Sequence, residues 1–188
     1  MTTPGLQKIA FVGDYLPRKC GIATFTHDLR RVIAATSGAK CIVIPMDDIA
    51  GGYTYEREVQ FQVVEQELED YRAAADFLNF GNVDVVSLQH EFGIYGGSCG
   101  SHVLALMQDL RMPVVTTLHT VLSAPNQTQR AVMKELIRLS TRLVVMTERC
   151  RQTLIDTYSV DSDKVDLIAH GIPSVPDTDQ RVLKEQFN

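Results

Sequence analysis

The stretch FVGDYLPRKCGIATFTHDL (Phe11–Leu29) joins the end of an apolar run to the start of an amphipathic one through a loop holding Pro17, Arg18, Lys19 and Gly21. The run that enters it, KIAFV (8–12), lacks the polar alternation of a half-exposed strand and reads as one covered on both faces. Beyond the loop, Ile22, Phe25, Leu29, Val32 and Ile33 recur at helical spacing. This strand, loop and helix unit recurs down the chain. CIVIPM (41–46), VDVVSL (83–88), PVVTTL (113–118), RLVVM (142–146) and VDLIA (165–169) predict further buried strands. Helical stripes fall between them: Val64, Leu68, Tyr71, Ala75 and Leu78; then Val103, Met107 and Leu110; Val132, Leu136 and Leu139; and finally Leu154 with Tyr158. The alternation implies an α/β, Rossmann-like, doubly wound and mainly parallel sheet of about six strands with helices on both faces. Only GGYTYEREVQFQV (51–63) breaks the pattern, as an irregular excursion or a hairpin. Right-handed crossovers then bring every strand-to-helix loop to the carboxyl edge of the sheet, where open α/β folds bind their ligands.

The 188 residues, 45% of them hydrophobic, suffice for one substantial core, assigned to residues 1–175, and the polar stretch 176–188 reads as a linker toward a further domain. The opening MTTPGLQK lacks the apolar core of a signal peptide and no run reaches the ~18 residues of a membrane span, so the expected location is cytoplasmic. Cys20, Cys41, Cys99 and Cys150 form no CxxC pair and read as reduced thiols. A net charge of −5 argues against a nucleic-acid partner. Arg130, Lys134 and Arg138, four apart with Arg142 beyond, form a basic stripe: a solvated face, or a peripheral contact with an anionic membrane.

Chemistry concentrates in the loops. The amides of Gly21, Ile22, Ala23 and Thr24 open a helix whose amino end attracts anions, with Arg18 beside it and Gly21 admitting a geometry that a side chain would block. Neither G-x-G-x-x-G nor a P-loop lysine is present. SLQHEFGIYGGSCGSH (87–102) places His90 and Glu91 at a strand end, then Gly96 and Gly97 in a second candidate anion nest, with Ser98 or Ser101 to cap the next helix. His119 and His170 end two more strands. Three histidines at one edge point to a binding site. No short-range chelate pairs them, so no metal is expected, and no cofactor.

Taken together and in order, LPRKCGIATFTHDL, VVSLQHEFGIYGG, VVTTLHT, RLVVMTERC and KVDLIAHGIP resemble the amino-terminal domain of the family 4 retaining glycosyltransferases of the GT-B class. The resemblance covers nearly the whole chain. It implies transfer of a hexose from a nucleotide-diphosphate sugar donor, with retention and without an essential metal, to a sugar, polysaccharide or lipid-linked acceptor. The donor would lie mainly on a second domain, whose paired glutamates (E-x7-E) have no counterpart in these residues, so the chain by itself is expected to be inactive. On the same grounds His119 is the catalytic-centre histidine that meets the transferred hexose. Gly21, Ile22 and Arg18 approach the donor diphosphate or the acceptor, His90 and Glu91 wall the acceptor side, and the HGI segment beginning at His170 crosses toward the second domain. Many relatives have two adjacent glycines where this chain has Cys20 and Gly21. The alternatives are one half of a non-hydrolysing sugar-nucleotide epimerase and a non-enzymatic ligand-binding α/β domain.

Overall fold

The computed structural model describes residues 5–171, so the linker assigned to 176–188 lies outside the described residues. Strands β1 (Lys8–Val12), β2 (Lys40–Ile44), β5 (Val85–His90), β6 (Val114–Leu118), β7 (Arg142–Val145) and β8 (Val165–Leu167) form a sheet in the order β2-β1-β5-β6-β7-β8. Every pairing in it is parallel. Helix α1 (Gly21–Ser37) lies on one face, where Leu29 and Ile33 pack on Ile9, Phe11 and Val43. Helices α2 (Leu68–Phe80), α3 (His102–Asp109), α4 (Gln127–Leu139) and α5 (Glu148–Tyr158) build the larger core with the other face, around Val12, Ile44, Leu88 and Leu143.

The chain departs from the sequence reading in three places, each for a local reason. Pro45 has no N–H for a ladder, and the apolar run at 41–46 divides there into β2 and a separate β3 (Met46–Asp47). Segment 51–63 is not a hairpin: β3 pairs in parallel with β4 (Val63–Val64), which also removes Val64 from the helical stripe. No serine side chain caps α3. Asn126 and Gln129, by contrast, close a reciprocal capping box on α4.

In the basic stripe Lys134 is exposed with no ion-pair partner among the described residues, but its three neighbours are engaged. The Arg142 guanidinium pairs with Asp166 at 2.5 Å and Arg138 with Glu135 at 2.7 Å, while Arg130 donates to the Thr157 carbonyl at 2.8 Å and lies over the Tyr158 ring. Among the described residues no helix is long and apolar enough to cross a membrane.

Two expected site elements are engaged within the fold instead. His90 is wholly buried, stacked on Tyr95 (centroids 6.2 Å apart) and edge-on to Phe92, and neither ring nitrogen has a hydrogen-bond partner among the described residues. It therefore does not wall the cleft. The Gly96 and Gly97 loop is likewise no open anion nest, because the Gly96 amide donates to Tyr71 Oη at 3.0 Å and the Gly97 amide to Gln66 Oε1 at 3.3 Å. A side chain on Gly96 would drive into the Glu65 carbonyl and the His102 ring, so glycine is required there for close packing.

Two outcomes follow from this packing. Gly96→Ala is expected to cost about 1–3 kcal/mol through overpacking against backbone, visible as a melting temperature several degrees lower. Burial holds the folded His90 pKa down at about 3, whereas the unfolded imidazole titrates near 6.5. Between those values the unfolded chain binds more protons, so the His90 contribution is complete above about pH 6.5 and is lost as pH falls toward 3. Relative to His90→Phe, which fills the site without a titrating group, the wild type should lose roughly 2 kcal/mol between pH 7 and pH 5 in urea unfolding. Asp14, whose burial pushes its carboxyl up to about 6, contributes the opposite slope in both proteins and cancels in the difference. Parallel stability curves for the two proteins would show that His90 is not held neutral.

Candidate functional site

Strand order reverses direction between β1 and β5, and in open α/β sheets the crevice that takes a ligand lies outside the carboxyl ends of the strands at such a point. The loop after β1 is organised by a buried carboxylate. Asp14 is fully buried and takes the Arg18 guanidinium at 2.8 Å on one oxygen and the Cys20 thiol at 3.1 Å on the other. Cys20 in turn caps α1, its sulfur accepting from the Ala23 amide at 3.2 Å. Arg18 also reaches Asp48 at 3.2 Å and Glu65 at 3.5 Å. Three carboxylates thus share its one charge, and Arg18 is turned inward rather than left as a spare cation for a ligand.

What the loop leaves open is the amino end of α1. Gly21 is the first helical residue, its φ lies outside the left-handed region, and a Cβ built on it meets nothing within 4 Å. The freedom of glycine is therefore not needed for the backbone, contrary to the sequence expectation. Its missing side chain leaves room on the outside, beside amides carrying the positive end of a helix dipole. Ile22 follows, half-buried against the large core, so it offers a ligand its main chain.

One turn further on, Phe25 brings two of the three edge histidines together. Its ring stands edge-on to His119 (4.9 Å between centroids, 89° between planes) and to His170 (5.2 Å, 61°). The helix that follows β1 is thereby joined to the ends of β6 and β8. The second polar link is Gln89, buried at the end of β5: its amide nitrogen donates to Ser87 at 3.2 Å, leaving its oxygen for Nε2 of His119 at 3.1 Å. Nε2 then carries the proton and Nδ1 keeps its lone pair. Burial lowers the His119 pKa, nearby Glu91 opposes the shift and His170 reinforces it, so the ring is neutral at physiological pH and can accept a hydrogen bond from a hydroxyl.

Glu91 lies on the same rim. Its carboxylate accepts from the Phe92 amide at 2.8 Å and from the Thr120 hydroxyl. His170 is exposed, with Nδ1 2.6 Å from the Gly171 carbonyl, which makes Nδ1 the protonated nitrogen. Among the described residues no group of three or more His, Cys, Asp or Glu side chains is disposed to hold a metal ion.

Gly21, Ile22, His119, His170 and Glu91 thus occupy one edge, whereas His90 and Gly96 pack inside it, exposed Gly97 has its amide taken by Gln66, and Arg18 faces a carboxylate cluster. Asp14, Phe25, Gln89 and Thr120 escaped sequence reasoning. Phe25 was legible only as part of an apolar stripe, and only Gln89, directly before a strand-ending histidine in LQH, carried a local hint of its role.

The chain also resembles known proteins in family and fold. The profile of Glycosyltransferase Family 4 matches residues 21–174. An α-glucosyltransferase solved in complex with UDP and a 13-mer DNA containing a central A:G mismatch superimposes with a TM-score of 0.54 at 12% identity, over 75% of this chain and 37% of its own. An α-glucosyltransferase in complex with UDP gives a TM-score of 0.52 at 14% identity, over 75% of this chain and 35% of its own. At such identities the likeness is one of fold. The chain spans little more than a third of the length of these structures, and no curated protein sequence matches it. With the family profile running over most of a Rossmann-like sheet of the GT-B kind, the chain belongs to glycosyltransferase family 4 and is an N-terminal domain of that family.

Proposed function

We propose that residues 1–175 form the acceptor-side half of a cytoplasmic, retaining hexosyltransferase that moves a sugar from a nucleotide diphosphate to an acceptor hydroxyl on a sugar, polysaccharide or lipid-linked saccharide. Membership of a glycosyltransferase family favours transfer over the epimerase and non-enzymatic readings, and the UDP bound by the fold neighbours supports a nucleotide-sugar donor. The observation that carries the proposal is the open space over Gly21, bounded by the positive end of α1 and lying one helical turn from Phe25, whose ring touches the neutral His119.

In this reading the diphosphate approaches the amides at Gly21 and Ile22, where the helix dipole offsets charge developing on the leaving group. His119 Nδ1 accepts from a hydroxyl of the transferred hexose, with Gln89 fixing the tautomer from behind. Glu91, oriented by the Phe92 amide and the Thr120 hydroxyl, faces the acceptor, and His170 lies where the chain passes toward the donor-binding domain. Attack of the acceptor on the leaving-group side retains configuration without a nucleophilic side chain. The 188 residues by themselves are expected to melt cooperatively yet turn over no sugar nucleotide.

The test is made in the protein that carries this domain together with its donor-binding half. Gly21→Val should leave the melting temperature nearly unchanged, because its Cβ points into open space, while weakening donor binding at least tenfold in calorimetry. His119→Ala should lower turnover about 10²-fold or more with a much smaller change in donor affinity. A Gly21→Val protein that melts early but binds donor normally, or a His119→Ala protein with ordinary turnover, would return these residues to structural roles.

A further inference from the structure

On the outer side of β2, one strand length from the crevice, lies a notch of about 380 Å³ lined by Arg30, Lys40, Cys41, Arg57, Glu58 and Gln60 among others. Its origin is topological. β2 is the edge strand of the sheet, and the segment returning from β3 rejoins it only at Val43, whose amide donates to the Glu58 carbonyl at 2.9 Å and whose carbonyl accepts from the Gln60 amide at 3.1 Å. Residues of a strand bonded on both sides alternate between neighbours. Lys40 bonds inward to Gln7, so Cys41 shares the outward direction of Val43, and its N–H and C=O face the notch with no partner among the described residues. One free residue of ladder is too short to seat an added strand, which excludes an extended peptide as occupant.

The side chains around that residue offer mostly donors. Arg30, Lys40 and Arg57 supply three positive charges against the single carboxylate of Glu58, and that carboxylate is already engaged: Tyr15 Oη donates to it at 3.0 Å and Arg30 lies 3.7 Å away. Arg30 is underused in return, since its buried Nε has no acceptor among the described residues. A site with three cationic side chains, its one carboxylate already engaged, and floored by an outward-facing amide is complementary to a compact anion.

We propose that this notch is a second ligand site, separate from the transfer crevice, that binds the phosphate group of a small phosphorylated molecule between Lys40, Arg57 and the Cys41 amide. The assignment does not depend on the proposed transferase activity. It does have a route to the crevice, because an anion drawing Arg30 outward weakens its hold on Glu58, whose other partner, Tyr15, belongs to the loop after β1 and lies 3.1 Å from His27 on α1.

Titration of the ¹⁵N-labelled 188-residue chain with inorganic phosphate, and separately with glycerol phosphate, at constant ionic strength tests the proposal by amide chemical shifts. A saturable shift at Cys41 and its neighbours is expected with either ligand. Tighter binding of the ester would show that the notch also reads the organic part, and equal binding that phosphate alone is recognised. Affinity should fall about tenfold or more in Lys40→Ala/Arg57→Ala, both positions being exposed and their replacement harmless to the melt, and should survive in Lys40→Arg. Three results would each overturn the assignment: no saturable shift, undiminished affinity in the double variant, or shifts confined to the amides of Gly21–Thr24.

Discussion

All six strands of the sheet point the same way, and the order in which they are laid down reverses once, between β1 and β5. Everything gathered at the site depends on that constraint. Parallel strands joined by right-handed crossovers must deliver each following loop to one edge, and the reversal separates the loop after β1 from the loop after β5 so that a ligand can enter between them. The side chains that meet there, Phe25 from α1, Gln89 from β5 and His119 from the end of β6, come from segments far apart in sequence. Topology, rather than any local motif, brings them within hydrogen-bonding and ring-contact distance.

Within that frame, the loop after β1 divides two jobs that a linear reading combines. Asp14, Arg18 and Cys20 form a partly buried network that fixes the loop and caps the helix. Burial makes Asp14 costly as an anion, and Arg18 offsets that cost while also serving Asp48 and Glu65. What stays open is backbone: the amide end of α1 beside Gly21. A charged side chain held in an internal network is a poor ligand for a mobile substrate, whereas helix amides are preorganised and need no such reassignment.

The same distinction explains what could be read from sequence. Strand runs such as VDVVSL and PVVTTL, and stripes such as Leu68, Tyr71, Ala75 and Leu78, follow from periodicity alone, because burial on both faces of a parallel sheet leaves a continuous apolar signature. The α/β class, the parallel sheet and the edge to which its loops are delivered were legible on that basis. Side-chain direction at the edge was not. His90 and His119 both end strands in polar stretches of sequence, yet one is buried against Tyr95 and Phe92 and the other is half-buried against the edge of Phe25. The difference lies in which helix or loop covers each strand end, and that is decided by tertiary packing. Gly21 and Gly96 show the same ambiguity: one letter, with open space over the first and a backbone carbonyl pressed against the second.

Glu58 connects the two regions that the sheet keeps apart. It sits in the segment that rejoins β2, where periodicity carried no signal, and its carboxylate is shared by Tyr15 from the crevice loop and Arg30 from the middle of α1. Neighbouring Tyr15 raises its own demand on that carboxylate, since burial and the bond to Glu58 together hold the phenol protonated. A single buried acceptor with two competing donors is a point at which a charge entering from the sheet edge is felt at the loop. The irregular excursion between β3 and β4 is thus the element that closes the sheet edge, shapes the notch and ties both to the helix whose amino end faces the crevice.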